Sequence, residues 1–239
     1  MAALHRLSRA AAGASLAVLL AASSAAAREP APPVWPDTTE TRLAAIALIQ
    51  TLNATLLSTP SATLTLDRWC ADHALAPEGS KIVAERVKGA EKPADADIRA
   101  ALGATPEERI VHRRVRLTCG SRVLSEADNW YRPGQLTEAM NRELETTDTA
   151  FGRVVKPLGF SRSTLDARLV WHPLPDGWEM QPSTKAAAAS NAGEMLEMPR
   201  FVLAHRAVLK KPDGAAFSLV AENYTSAILA FPPPLAPRP

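Results

Sequence analysis

Residues 110–133 read IVHRRVRLTCGSRVLSEADNWYRP, and their alternation decides the fold class. Val111, Arg113, Val115, Leu117 and Cys119 share one face of an extended strand, while Arg114, Arg116 and Thr118 take the other. Gly120-Ser121 interrupts the run and residues 123–131 resume it, which predicts two strands around a tight hairpin turn. Arg113 is the one charged side chain in its apolar row. A guanidinium aimed at a core needs compensation, usually by a carboxylate, whether of the protein or of a ligand.

Outward from the hairpin the pattern changes period. On the N-terminal side, Leu43, Ala44, Ile46, Ile49, Leu52 and Leu56 recur at helical spacing over 39–57, with Thr39 as N-cap. A second helix is predicted over 65–75, carrying Leu66, Trp69 and Cys70, and a short strand over 81–87. A helix is expected near 95–102. On the C-terminal side come a helix at 136–144, a short helical turn or loop segment at 151–158 and an extended segment at 160–171. Residues 174–198 are irregular, and two last strands, 201–209 and 217–229, flank a Lys-Pro-Asp-Gly turn. Helices first and adjacent strands later predict an α+β fold. The expectation is an antiparallel sheet of about six strands with helices packed on one face, in a single domain over 39–230.

The ends read differently. Residues 1–27 have a basic start (Arg6, Arg9), an Ala/Leu/Val run and Ala25-Ala26-Ala27, the pattern of an export signal cut after Ala27. A Pro-rich leader (28–38) and a Pro-rich tail (231–239) flank the domain. The expected location is periplasmic or secreted, with no membrane association after cleavage. Removing Arg6 and Arg9 from the 27 basic residues leaves 25 against 25 acidic ones, a balance that does not suggest nucleic acid as a partner. Cys70 and Cys119 are the two cysteines, and an oxidising exterior permits a bridge between them; two separate buried thiols are the alternative.

Several chemistries lack their motifs. There is no Gly-rich phosphate loop, no GxSxG elbow and no metal-ligand spacing among the scattered histidines, so no metal or cofactor is expected. What remains is Arg113 and, in the last strand, Glu222, another lone charge beside Val220 and Tyr224. Their plain reading is a structural ion pair between two strands, or solvent-facing charges on an open sheet.

The order of these residues adds to that reading. An Arg-bearing strand and a hairpin lead to Tyr131-Arg132-Pro133, a helix and TTDTAFGR (146–153); then come Arg162-Ser163-Thr164-Leu165 and a last strand with Glu222. Over roughly 43–230 the chain resembles the chorismate lyase family, within a superfamily that includes ligand-binding domains of some transcription regulators. It departs from the family at Ala150, where proline is usual. The resemblance implies that Arg113 binds a carboxylate and that Glu222 lies at the far end of a cavity, both as catalytic candidates. It also implies backbone contacts to the ligand from Phe151 and from near Ala62. The implied activity is elimination of pyruvate from chorismate or a related enolpyruvyl compound to give a hydroxybenzoate, without metal or redox cofactor. The alternative is a non-catalytic binding protein for a small aromatic carboxylate; a weaker one is a structural protein with a vestigial pocket.

Overall fold

A computed structural model describes residues 35–180 and 193–234. The export signal at 1–27, most of the leader, residues 181–192 of the irregular stretch and the end of the tail lie outside the described residues.

Helix α1 (Thr39–Ser58) is capped by Thr38, one residue before the expected cap. Thr38 accepts a hydrogen bond from the Thr41 backbone while the Thr41 side chain reaches back, a reciprocal cap that satisfies two orphan amides. Its buried stripe is Ala44, Ala45, Ile49, Leu52 and Leu56. Helix α2 spans Ala62–Asp72, three residues earlier than expected at each end. The shift has a local cause: Ser61 follows Pro60 and its hydroxyl accepts from the Leu64 amide, so the chain turns helical at once. Residues 61–63, around the implied backbone contact near Ala62, are therefore the cap and first turn of α2.

The sheet comprises β1 (Val83–Arg86), β2 (Val111–Cys119), β3 (Arg122–Tyr131), β4 (Ser161–Leu169), β5 (Phe201–Lys210) and β6 (Ala216–Thr225). The order is β1-β2-β3-β6-β5-β4, antiparallel throughout. The β2–β3 hairpin turns at Gly120-Ser121, where Gly120 takes φ +57°. β6 is shorter than expected because Thr225 Oγ1 accepts from the Ala227 amide and starts a 3₁₀ turn at Ser226–Leu229. The α+β class and the six-stranded antiparallel sheet are as expected.

The helical cover is less one-sided than expected. α1 and α2 pack with Leu117, Ala127, Leu203 and Tyr224 on the inward face, and α4 (Glu138–Thr146) and α5 (Phe151–Val154) close the end of that face. α3 (Ala96–Leu102) lies on the opposite face, where Ile98 and Leu102 meet Trp130, Val208 and Leu219. The reason is in the hairpin itself: Trp130 alternates with Asn129 and Tyr131, and so carries an apolar surface to the outer face. Beside it, Asp128 accepts from Lys92, His112 and Arg114. Burial raises the Asp128 pKa, but these donors outweigh it and the net direction is down. Arg114, one of the two outward arginines of the opening stretch, is thus accounted for by a carboxylate of the protein.

Cys70 of α2 and Cys119 of β2 are joined by a disulfide across 49 residues. Closing such a loop contributes about 4 kcal/mol on the chain-entropy account. The bridge ties the helix whose start faces the sheet to the strand that carries Arg113.

Candidate functional site

Strand register lays the inward side chains out in rows. Arg113 stands opposite Asn129, and Asn129 opposite Val220. The next row runs Val115, Ala127, Glu222, His205. Between these rows and the starts of α2 and α5 lies a cavity. Val115, Leu117, Phe151, Phe160, Leu209 and Val220 form its apolar wall; Arg113, Asn129, Arg162 and Glu222 are its polar sheet residues.

Arg113 is 3% exposed, and its Nε and Nη2 have no hydrogen-bond partner among the described residues. Burial, and then the nearby Arg86, push its pKa down, against Tyr131 and Asp148, which push it up. A guanidinium nevertheless stays protonated in proteins, so the side chain is a buried cation with no ion-pair partner among the described residues.

Glu222 does not compensate it. Its Oε2 accepts from Arg162 Nη2 at 2.6 Å and from the Tyr224 hydroxyl at 3.1 Å. The Arg113–Glu222 ion pair considered from sequence is absent; the pair formed is Arg162–Glu222, with both side chains under 10% exposed. Burial lowers the Arg162 pKa, but Glu222 and Tyr224 outweigh it and the net direction is up. Tyr224 is pushed well above the ordinary phenol value by burial and by Glu222, so it remains a donor.

Arg162 reaches the cavity through a backbone irregularity. The β4–β5 register shifts between Thr164 and Asp166, so Arg162 falls in line with Leu209 on the inward face while Asp166 falls opposite Arg206 on the other. Simple alternation along β4 would put 162 and 166 on one face. Two guanidiniums against one carboxylate leave the cavity wall with one positive charge over.

The facing wall comes from two helix starts. Ser61, Ala62, Thr63, Phe151 and Gly152 line it. The first-turn amides of α2 have no intrahelical acceptor and sit at the positive end of its dipole. Gly152 is where the two helices meet: a Cβ there would stand 2.5 Å from Ser61 Oγ and 3.1 Å from Thr63 Oγ1. Arg153 turns away from the cavity. Its Nη2 donates to both Asp67 oxygens at 3.0 and 2.7 Å, and Nη1 to the Ile82 carbonyl, which clamps α5 onto α2. Among the described residues no group of His, Cys, Asp and Glu could hold a metal ion.

No protein-family model matches the chain. The uncharacterized protein y4mC of Sinorhizobium fredii (strain NBRC 101917 / NGR234) is 55% identical over 201 residues, which cover 84% of this chain and 83% of that protein. The chain belongs to the y4mC family. Among solved structures, PhnF from Mycobacterium smegmatis superposes with a TM-score of 0.42 at 14% identity, covering 70% of this chain. The chain spans 64% of the length of that PhnF chain. The effector domain of the same PhnF gives 0.41 at 15% identity, over 70% of this chain and 88% of that one. A GntR-family transcriptional regulator from Bacillus cereus gives 0.37 at 13% identity, over 60% and 91%. Superpositions this loose carry no functional argument.

In this y4mC-family chain, Arg113, Glu222, Phe151 and Ala62, the four positions singled out from the sequence, all line one cavity. Arg162 and Asn129 line it too and were not singled out as binding residues. Asn129 lay inside a polar run, and only the register shows that it faces inward.

His205, opposite Glu222, adds a pH dependence. It is 2% exposed; Nε2 lies 2.8 Å from Asn53 Oδ1 of α1, its ring meets Tyr224 edge-on, and Nδ1 has no partner among the described residues. Burial lowers its pKa, and Arg162 adds to that, against Glu222 and Asp166. A depressed folded-state pKa means that the unfolded chain binds the proton more readily. The contribution of neutral His205 to stability is therefore full above about pH 6.5 and lost as pH falls through the folded value. Melting curves between pH 7.5 and 5 are expected to show a shallower loss of stability for His205→Gln than for the wild type. Parallel losses would rule His205 out as the cause.

Proposed function

We propose that this is an exported protein whose cavity holds a small organic anion, an aromatic or enolpyruvyl carboxylate. One observation carries the reading: Arg113 is a buried cation facing a cavity, with Nε and Nη2 unpartnered and the carboxylate that lines the same cavity, Glu222, already bound to a different arginine. A buried unpaired charge is costly, and a ligand carboxylate is the partner that matches a guanidinium bidentately. The excess positive charge of the wall favours a monoanion, and Phe151 and Phe160 suit a ring. The start of α2 offers further amides to an anion.

Holding, rather than turning over, is the form of the reading that Glu222 favours. Release of pyruvate from an enolpyruvyl ether needs a group free to move a proton at the ether or ring oxygen. Glu222 Oε2 is engaged by Arg162 and Tyr224. The test is calorimetric titration of the purified protein with 4-hydroxybenzoate, beside an assay for pyruvate after adding chorismate. Saturable one-to-one binding without pyruvate release is expected. Pyruvate release at a catalytic rate would replace the binding reading by a lyase, and absence of binding to either compound would end both.

A further inference from the structure

Asn129 is 4% exposed and stands directly opposite Arg113 across the β2–β3 pair, so both side chains occupy one patch of the cavity wall. Directly opposed side chains on one face have Cβ atoms about 5 Å apart. Ser218, fully buried on β6, donates from its hydroxyl to Asn129 Oδ1 at 2.6 Å. That bond orients the amide: with Oδ1 taken as acceptor, Nδ2 is left as the donor end. Asn129 Nδ2 has no partner among the described residues, and neither have Arg113 Nε and Nη2. These three buried nitrogens are all donors, and no unpartnered acceptor stands among them.

The choice of residue type is informative. An aspartate here would neutralise Arg113 from within the protein, and a leucine would fill the same space without an unpaired amide. The isosteric amide does neither: it keeps the guanidinium charged and adds donors beside it. Resting on the anion-binding reading above, we propose that Asn129, locked by Ser218, is a specificity-determining residue. With Arg113 it forms a three-donor cradle that takes both oxygens of one carboxylate and rejects the isosteric primary amide, whose NH₂ would face N–H groups.

The experiment uses the full protein with 4-hydroxybenzoate and 4-hydroxybenzamide as probes. For the wild type, saturable binding of the acid and none of the amide at a hundredfold higher concentration is expected. Asn129→Asp is expected to weaken binding of the acid at least 30-fold, and Ser218→Ala about 3- to 10-fold through loss of the amide's orientation. In parallel, the side-chain amide resonances of Asn129 in asparagine-labelled wild type should shift on adding the acid; this readout holds even if Asn129→Asp does not fold. If the wild type binds the acid but the Asn129 resonances stay in place and the folded variant binds within twofold, the cradle is wrong and the anion site stands. Equal binding of acid and amide also overturns the cradle. If the wild type binds neither, the anion site itself fails and the cradle with it.

Discussion

Replacing Arg113 with methionine is expected to raise the melting temperature while removing carboxylate binding. The two effects have one cause. Arg113 is 3% exposed and its Nε and Nη2 lack partners, so the folded state carries an unsatisfied cation. A buried polar group without its hydrogen bonds costs about 1–3 kcal/mol, more when charged. A methionine of similar length fills the space with no polar atoms. For a chain of this size each kcal/mol is worth about 2–4 °C, so a gain of about 2–12 °C is expected. Binding of 4-hydroxybenzoate should fall at least about 30-fold, because the desolvated charge pair with the ligand is lost. Thermal melts and calorimetry on the same preparation check both halves. A lower melting temperature together with unchanged binding would show that Arg113 serves the fold and not a ligand.

The second large effect concerns Arg162 and Glu222. Each is almost fully buried, and they meet at 2.6 Å, so removing either leaves the other as an unpaired buried charge. Arg162→Leu and Glu222→Leu are each expected to cost about 3–5 kcal/mol, and the double replacement much less than the sum, because two apolar side chains restore a neutral interior. Glu222→Leu also deprives the Tyr224 hydroxyl of its acceptor, which makes it the worse of the two single changes. Urea unfolding of the four proteins measures the coupling. Additive losses would mean that the two side chains do not act as a pair. Together with the Arg113 result, this cycle separates a pair that holds strands together from a cation kept for a guest.

Much of the site was legible because alternation is a backbone property. A period of two puts Arg113 with Val115 and Leu117, and Glu222 with Val220 and Tyr224, whatever the rest of the chain does. The same logic does not carry along β4. The register shift between Thr164 and Asp166 is a local irregularity paid out over β4 and β5 together, and residues 161–169 alone carry no mark of it. The start of α2 was misplaced for a different reason: the Ser61 cap outweighs the weak helix preference of the threonines that follow.

The sequence by itself determined the α+β class, the hairpin at 120–121 and the lone inward charges, because these follow from periodicity and turn chemistry within a few residues. Only the tertiary structure decided the partners. It gave Glu222 to Arg162 and left Arg113 facing the cavity beside Asn129. It also sent α3 to the outer face and brought Cys70 to Cys119. Pairing between residues 49 or 60 positions apart depends on strand order and register, which are set by the packing of the whole sheet rather than by any one segment of the chain.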